Sequence, residues 1–312
     1  MAIFNTRRGQ EKELGFGSKN YNESVRFINK DGTVNIRRTG LNGLRSLDAY
    51  SWLITASGLK LSLVITSGYI LINLLFACVY YLIGPQNFGG LDNSSPAQQF
   101  MSLFFFSAQT ITTLGYGHIH PISNSASTAA SVESLLGLLS FAIATGILFG
   151  RFSRPRAHLL YSKKILISPY DETTGLMFRI TNQKQYELIE VEASVSVTMK
   201  NPETNRRDFY SLKLEINRIN FLPLSWTIVH PIESDSPIKG LTARDFEERD
   251  AEFLILIKAI NDTFSQTVYS RYSYKWNDLV EKAKFKPLKQ EVGKHGKVRI
   301  TVTDIHHFDM LP

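Results

Sequence analysis

Between Lys60 and Arg151 the sequence contains no lysine and no arginine, although the chain as a whole carries a net charge of +7. The only charged residues in that interval are Asp92 and Glu133, so all of the excess positive charge lies in the flanks. Residues 61–83 are uncharged. As a helix they would extend about 34 Å, enough for a hydrocarbon core of about 30 Å. Gly84-Pro85 closes that run, and residues 134–150 form a second one that extends back to Ala129 and forward to Phe152. Either run alone would also suit a buried core helix. Two of them, with cations confined to the outside, fit two spans that leave and re-enter one compartment around a short external loop.

The connection between the spans is informative. Asn93-Ser94-Ser95-Pro96 is a helix-start signal, with Ser95 as N-cap and Pro96 in the first helical position. A helix from Ala97 to Thr110 would be too short to span. Non-helical backbone at membrane depth is tolerated only inside protein or along a water path. Directly after this short helix the chain reads Thr112-Thr113-Leu114-Gly115-Tyr116-Gly117. A potassium ion sheds water only if other oxygens replace its hydration shell, and rings of backbone carbonyls from four subunits do so. Gly115 and Gly117 offer the backbone freedom that such a loop needs. Thr113 can add its hydroxyl at the inner end, and Tyr116 is expected to brace the loop against Phe104, Phe105 or Phe106. The C-terminal end of the short helix carries partial negative charge, which would favour a dehydrated cation. These residues therefore predict a selectivity filter with potassium at Thr113, Leu114, Gly115 and Tyr116.

The flanks differ in kind. Residues 1–33 are polar with little periodicity and read as largely flexible, with a short strand possible at Val34-Asn35-Ile36-Arg37-Arg38. Residues 47–54 are short, amphipathic and aromatic; Tyr50 and Trp52 suit the headgroup layer, which predicts an interfacial helix. No apolar stretch precedes the first charges, so no cleavable signal peptide is expected. Cys78, the single cysteine, lies in an apolar run and reads as a small buried residue. Beyond Pro155 the pattern is that of strands. Ile189, Val191, Ala193, Val195, Val197 and Met199 alternate with polar residues; Leu212, Leu214 and Ile216 repeat this, as do Val298, Ile300 and Val302. Residues 253–257 read as a more fully buried strand. Many short strands with no long helix between them predict a sandwich. The expected organisation is an N-terminal segment (1–46), an interfacial helix (47–59), a transmembrane pore domain (60–153) and a β-sandwich (154–312). No nucleophile–base pair and no phosphate loop stand out, so no enzyme is expected.

At this point the sequence resembles the inward-rectifier potassium channel family, most closely its bacterial members, over about residues 34–305. The resemblance is carried by Asp48-Ala49-Tyr50-Ser51-Trp52-Leu53-Ile54-Thr55, similar to the family's slide helix, and by the filter stretch from Ser107 to Gly117. The inner-helix ending Gly146-Ile147-Leu148-Phe149-Gly150-Arg151-Phe152-Ser153-Arg154-Pro155-Arg156-Ala157 is more specific than the filter. Trp226-Thr227-Ile228-Val229-His230-Pro231-Ile232, followed by Asp235-Ser236-Pro237, looks like the family's signature in the C-terminal part.

The resemblance implies a homotetramer in the inner membrane, both termini cytoplasmic, with a two-helix pore domain and a cytoplasmic immunoglobulin-like β-sandwich. Potassium would be the only ligand of the filter, with no organic cofactor and no nucleic-acid partner. Leu138, Phe141, Thr145 and Phe149 lie on one helical face. Phe149 matches the bundle-crossing gate, and Phe141 takes the position that is acidic in strongly rectifying members. Gly137 and Gly146 suit either bending or close packing. Arg151, Arg154 and Arg156, and more loosely Lys60, match cations that contact anionic phospholipids or phosphoinositides. The sign of that regulation is open, because phosphoinositides activate eukaryotic relatives and inhibit some bacterial ones. The sequence departs from the family in three places. Gln109 and Ile119 stand where eukaryotic members often pair Glu with Arg, Leu114 replaces the commoner Val or Ile, and the external cysteine pair is missing. Two alternatives share this architecture: a membrane-tethered sensor and a weakly selective cation channel. His118 and His120 come after the filter and could titrate near neutral pH.

Overall fold

The computed structural model describes residues 26–35, 49–92, 95–153, 157–204, 206–292 and 298–312. They divide into two compact units, one within Gly40–Arg154 and one formed from Met1–Thr39 and Pro155–Pro312.

The first unit is helical. Helix α1 (Ala49–Thr55) leaves Tyr50 and Trp52 exposed and buries Ile54. Helix α2 (Gly58–Ile83) starts at Ser57, whose side chain accepts the Lys60 N–H, and stops at Gly84 with φ 107°. The strand pair β1 (Phe88–Gly89) and β2 (His120–Pro121) ties the two ends of the connection together. Gly90 is required there, since a Cβ would lie 1.8 Å from the His118 carbonyl oxygen. Helix α3 (Pro96–Ile111) opens on the predicted N-cap, where the Gln98 Oε1 accepts the Ser95 N–H at 3.1 Å. Helix α4 (Asn124–Phe152) starts ten residues before the second uncharged run, because Ser123 caps it and the small residues after the cap continue it. Helices α2 and α4 both have membrane length and hydropathy, whereas α3, at about 24 Å, does not. A small core of Phe76, Tyr80, Phe88, Leu103, Phe106 and Ala126 joins them.

The second unit is a sandwich of two five-stranded sheets. Its strands are β3 (Leu159–Tyr161), β4 (Ile165–Tyr170), β5 (Thr173–Asn182), β6 (Leu188–Lys200), β7 (Arg207–Leu212), β8 (Arg218–Phe221), β9 (Ser225–Pro231), β10 (Glu252–Asn261), β11 (Gln266–Lys275) and β12 (Leu279–Glu281). One sheet has the order β11-β10-β6-β7 with β8 also on β6; the other has β12-β4-β5-β3 with β9 also on β5. All pairs are antiparallel except β12 with β4. The core lies between the sheets, with Phe178, Ile180 and Ile228 facing Val195, Val197, Phe253 and Ile257. Helix α5 (Ala243–Glu248) adds Phe246 to it.

Several expectations need correction. The alternation in β6 does not run straight through: Glu190 has φ 49° and the pairing with β10 shifts beside it. This bulge inserts one residue and reverses the parity, so Leu188 is fully buried and Ile189 is not. Leu214 and Ile216 lie beyond the end of β7, and Val302 begins a short 3-10 helix. In β10, by contrast, Phe253, Leu254, Ile255 and Ile257 are buried as expected, and only Leu256 of residues 253–257 is exposed. Of residues 1–33, expected to be largely flexible, 1–25 lie outside the described residues, whereas Phe27 and Ile28 are buried against Phe209 and Leu254. Their backbone N–H groups point to the Glu252 carboxylate, and Arg26 and Lys30 pair with Asp278. Apolar residues too few to show a period still dock where a ready-made edge receives them. Cys78 is exposed, not buried.

Candidate functional site

The predicted filter residues form a loop between α3 and β2. Its backbone takes positive φ at alternate positions: Thr113 (59°), Gly115 (53°) and Gly117 (82°). At Gly115 and Gly117 a Cβ would meet nothing within 4 Å, so only the backbone conformation calls for glycine. Thr113 adopts the left-handed region without being a glycine, which sequence reasoning had not anticipated. The loop folds back on the end of α3: Leu114 and Gly115 donate their N–H groups to the Gln109 carbonyl at 2.9 and 3.4 Å, and Thr113 donates to the Thr110 carbonyl at 3.0 Å. Gln109 thus supports the loop through its main chain. The Thr112 hydroxyl donates to the Ala108 carbonyl at 2.7 Å.

Tyr116 does not brace this loop within the chain. It is 74% exposed, while Phe106 packs on Tyr80 and Phe88, and Phe104 packs on Phe105. Along α4, Leu138, Phe141, Thr145 and Phe149 are all exposed and share one face, with Phe141 and Phe149 each more than 70% accessible. Gly137 and Gly146, the two candidate glycines of α4, separate cleanly. A Cβ at Gly137 would lie 2.2 Å from the Ile111 carbonyl oxygen, whereas Gly146 has open space. Gly137 therefore serves the close approach of α3 to α4.

Arg151 ends α4, and its guanidinium donates to the Ala56 carbonyl in the turn between α1 and α2. Gly150 lets α1 approach there: a Cβ would meet the Tyr50 hydroxyl at 3.1 Å. Lys60 lies exposed in the first turn of α2. Arg154 and Arg156 fall outside the described residues.

Sequence reasoning missed a buried polar cluster behind the loop. Glu133, Tyr80, Ser107 and Asn73 are all fully buried, and Tyr80 and Ser107 both bond the Glu133 carboxyl. A lone acidic residue in an apolar helix was the signal available. In the sandwich, the family-like stretch around His230 also acquires a reason. The His230 Nδ1–H donates to the Lys213 carbonyl at 2.5 Å, and Nε2 accepts from the Ser236 hydroxyl at 2.8 Å. The five residues between His230 and Ser236 are the span of this link.

Two membrane-length helices enclosing a short helix and a glycine-bearing loop, followed by a β-sandwich, fit the ion-channel class. Comparison with known proteins narrows the class. A family model described as Ion channel matches residues 68–154, and one described as Inward rectifier potassium channel C-terminal domain matches residues 159–311. Inward rectifier potassium channel Kirbac3.1 of Paramagnetospirillum magnetotacticum is 35% identical over 261 residues, covering 82% of this chain and 86% of its own length. ATP-sensitive inward rectifier potassium channel 12 of Gallus gallus is 25% identical over 311 residues, covering 91% of this chain and 70% of its own length. Inward rectifier potassium channel 4 of Mesocricetus auratus is 28% identical over 214 residues, covering 64% and 48%. A solved structure of Pseudomonas fluorescens alkylpurine DNA glycosylase AlkC overlaps 61% of this chain and 49% of its own at 8% identity, with a TM-score of 0.21, too low to bear on the fold. The chain belongs to the inward rectifier potassium channel family, as a bacterial-type member. It is accordingly a membrane protein of a potassium-conducting family and not an enzyme.

Proposed function

We propose that this chain is one of four identical subunits of a potassium-selective channel, with residues 112–117 as its selectivity filter. The observation that carries the reading is the alternation of positive φ at Thr113, Gly115 and Gly117 in a loop that starts from the C-terminal end of α3. Alternating left-handed and ordinary conformations turn successive carbonyls toward one side. Four such loops around an axis would offer stacked oxygen rings in place of the hydration shell of potassium. The exposed Tyr116 ring suits a contact with a neighbouring subunit, and the α3 terminus brings negative dipole potential toward the axis.

The exposed face of α4 lines the inner pore in this reading. Phe149 forms the constriction where four rings close a dry gate. Phe141 has no charge to attract a polyamine or magnesium ion, so block from inside is weak. Lys60, Arg151, Arg154 and Arg156 meet anionic phospholipid or phosphoinositide headgroups, each cation contributing about 1 kcal/mol. The bond from Arg151 to Ala56 gives that contact a route to the gate, because a headgroup competing for the guanidinium would loosen the turn between α1 and α2. Cations outside the spans orient both termini toward the cytoplasm, in the inner membrane.

Purified protein in liposomes tests the reading. Potassium efflux that is blocked by external barium, exceeds sodium efflux and changes with added anionic lipid is expected. Barium-insensitive or absent flux at every lipid composition would overturn the channel reading. Equal potassium and sodium flux would favour a weakly selective pore, which Gln109, Leu114 and Ile119 make a concrete outcome.

A further inference from the structure

The polar cluster behind the loop carries a proton count. The Tyr80 hydroxyl bonds Glu133 Oε2, the Ser107 Oγ bonds Glu133 Oε1, and the same Ser107 Oγ lies 3.0 Å from Asn73 Oδ1. The orientation of Asn73 is fixed, because its Nδ2 donates to the Tyr69 carbonyl at 2.6 Å and an amide oxygen could not face that carbonyl. Three contacts therefore need three protons. Tyr80 and Ser107 have one hydroxyl proton each, Asn73 presents only an acceptor, and an ionised carboxylate supplies none. The count closes if Glu133 holds a proton: Tyr80 donates to Oε2, the Glu133 O–H donates to Ser107, and Ser107 donates to Asn73. Solvation points the same way. All four residues are fully buried, and no lysine or arginine occurs between Lys60 and Arg151 to neutralise a carboxylate.

We infer that Glu133 is a neutral carboxylic acid and a positioning residue for the filter. Through Ser107 it fixes α3 to α4, and through Tyr80 it fixes both to α2. One turn further along both helices, Gly137 meets the Ile111 carbonyl, so the seam runs directly to the residue before the loop. Neither bond depends on charge. The seam holds α3 in place where position 109, a glutamine, cannot form an ion pair.

The functional part rests on the filter reading proposed above, and the protonation state is read independently of it. Infrared spectra of the purified full-length protein are compared between wild type and E133Q. A protonated-carboxyl C=O band present in wild type and lost in E133Q is expected; loss of an ionised-carboxylate band instead would overturn the inference. In liposomes E133Q, whose amide can both donate to Ser107 and accept from Tyr80, should keep the potassium-over-sodium flux ratio within about twofold of wild type. E133A and S107A should lower the ratio about tenfold, the scale set by one buried group left without its partner. E133Q as damaging as E133A would overturn the inference, and so would an unaltered ratio in S107A. If E133A does not assemble, S107A, E133Q and the infrared comparison still decide. If wild type itself proves unselective, the filter reading fails while the infrared result stands.

Discussion

Replacing Gly137 by alanine puts a defined strain on the route between helix packing and conduction. The added Cβ would lie 2.2 Å from the Ile111 carbonyl oxygen and 2.8 Å from Ile111 Cγ1. Ordinary contact begins at about 3.4 Å, so α3 and α4 must part by roughly 1 Å. The nearest atom is backbone, at the last turn of α3, and no side-chain rotation relieves it. Overpacking of this kind costs about 1–3 kcal/mol, against which the better helix propensity of alanine returns up to about 1 kcal/mol. The net expectation is destabilisation of about 1–2 kcal/mol, at a point one residue before Thr112. Potassium efflux from liposomes and thermal unfolding of the detergent-purified protein measure the two consequences. G137A should unfold at lower temperature and lose about tenfold in flux, the rate equivalent of about 1.4 kcal/mol. G68A is the control, since a Cβ there meets nothing within 4 Å. A G137A protein that matches G68A in both stability and flux would refute the steric reasoning.

Three other outcomes are expected from the same geometry. Asp250 bonds both Arg207 and Lys275, all three side chains being less than 10% exposed, and its φ of 45° is one that asparagine tolerates; D250N should therefore isolate the charge and destabilise the sandwich by about 3–5 kcal/mol, read by tryptophan fluorescence in denaturant. His230 is held below its ordinary value by burial, against the opposing pull of the Lys213 carbonyl, Asp235 and Glu233. The unfolded chain then binds the proton first, so the stability contributed by neutral His230 is present above about pH 6.5 and is lost as pH falls through the lower folded value; a melting temperature that drops below pH 6.5 in wild type but not in H230Q is expected. Internal spermine should block weakly and with little voltage dependence in current–voltage recordings, and strong block abolished by F141A would contradict the assignment of Phe141.

Much of the pore unit was legible in sequence because its determinants are local. The Ser95 cap, the proline after it and the glycine stop at Gly84 act within one helical turn, and each lies where it was expected. The two spans were readable from charge and length, which need no knowledge of neighbours. The sandwich was readable from alternation, but its detail was not: one positive φ at Glu190 exchanged Ile189 for Leu188 in the core. Periodicity cannot register a bulge, since the inserted residue changes no residue type.

The stretch from Lys60 to Arg151 by itself determined a membrane setting and a loop with glycines where the backbone turns left-handed, because transfer energy and φ preference belong to residues singly. Only the tertiary structure decided what holds that loop. Glu133 meets Tyr80 across 53 residues and Ser107 across 26, and Gly137 meets Ile111; in the other unit, likewise, Phe27 reaches Glu252 across 225. These are packing distances between elements, and no pattern of neighbouring residues encodes them. Without α2 and α3 beside it, Glu133 is a lone acid in an apolar helix; among its partners it closes a hydrogen-bonded seam between α2, α3 and α4.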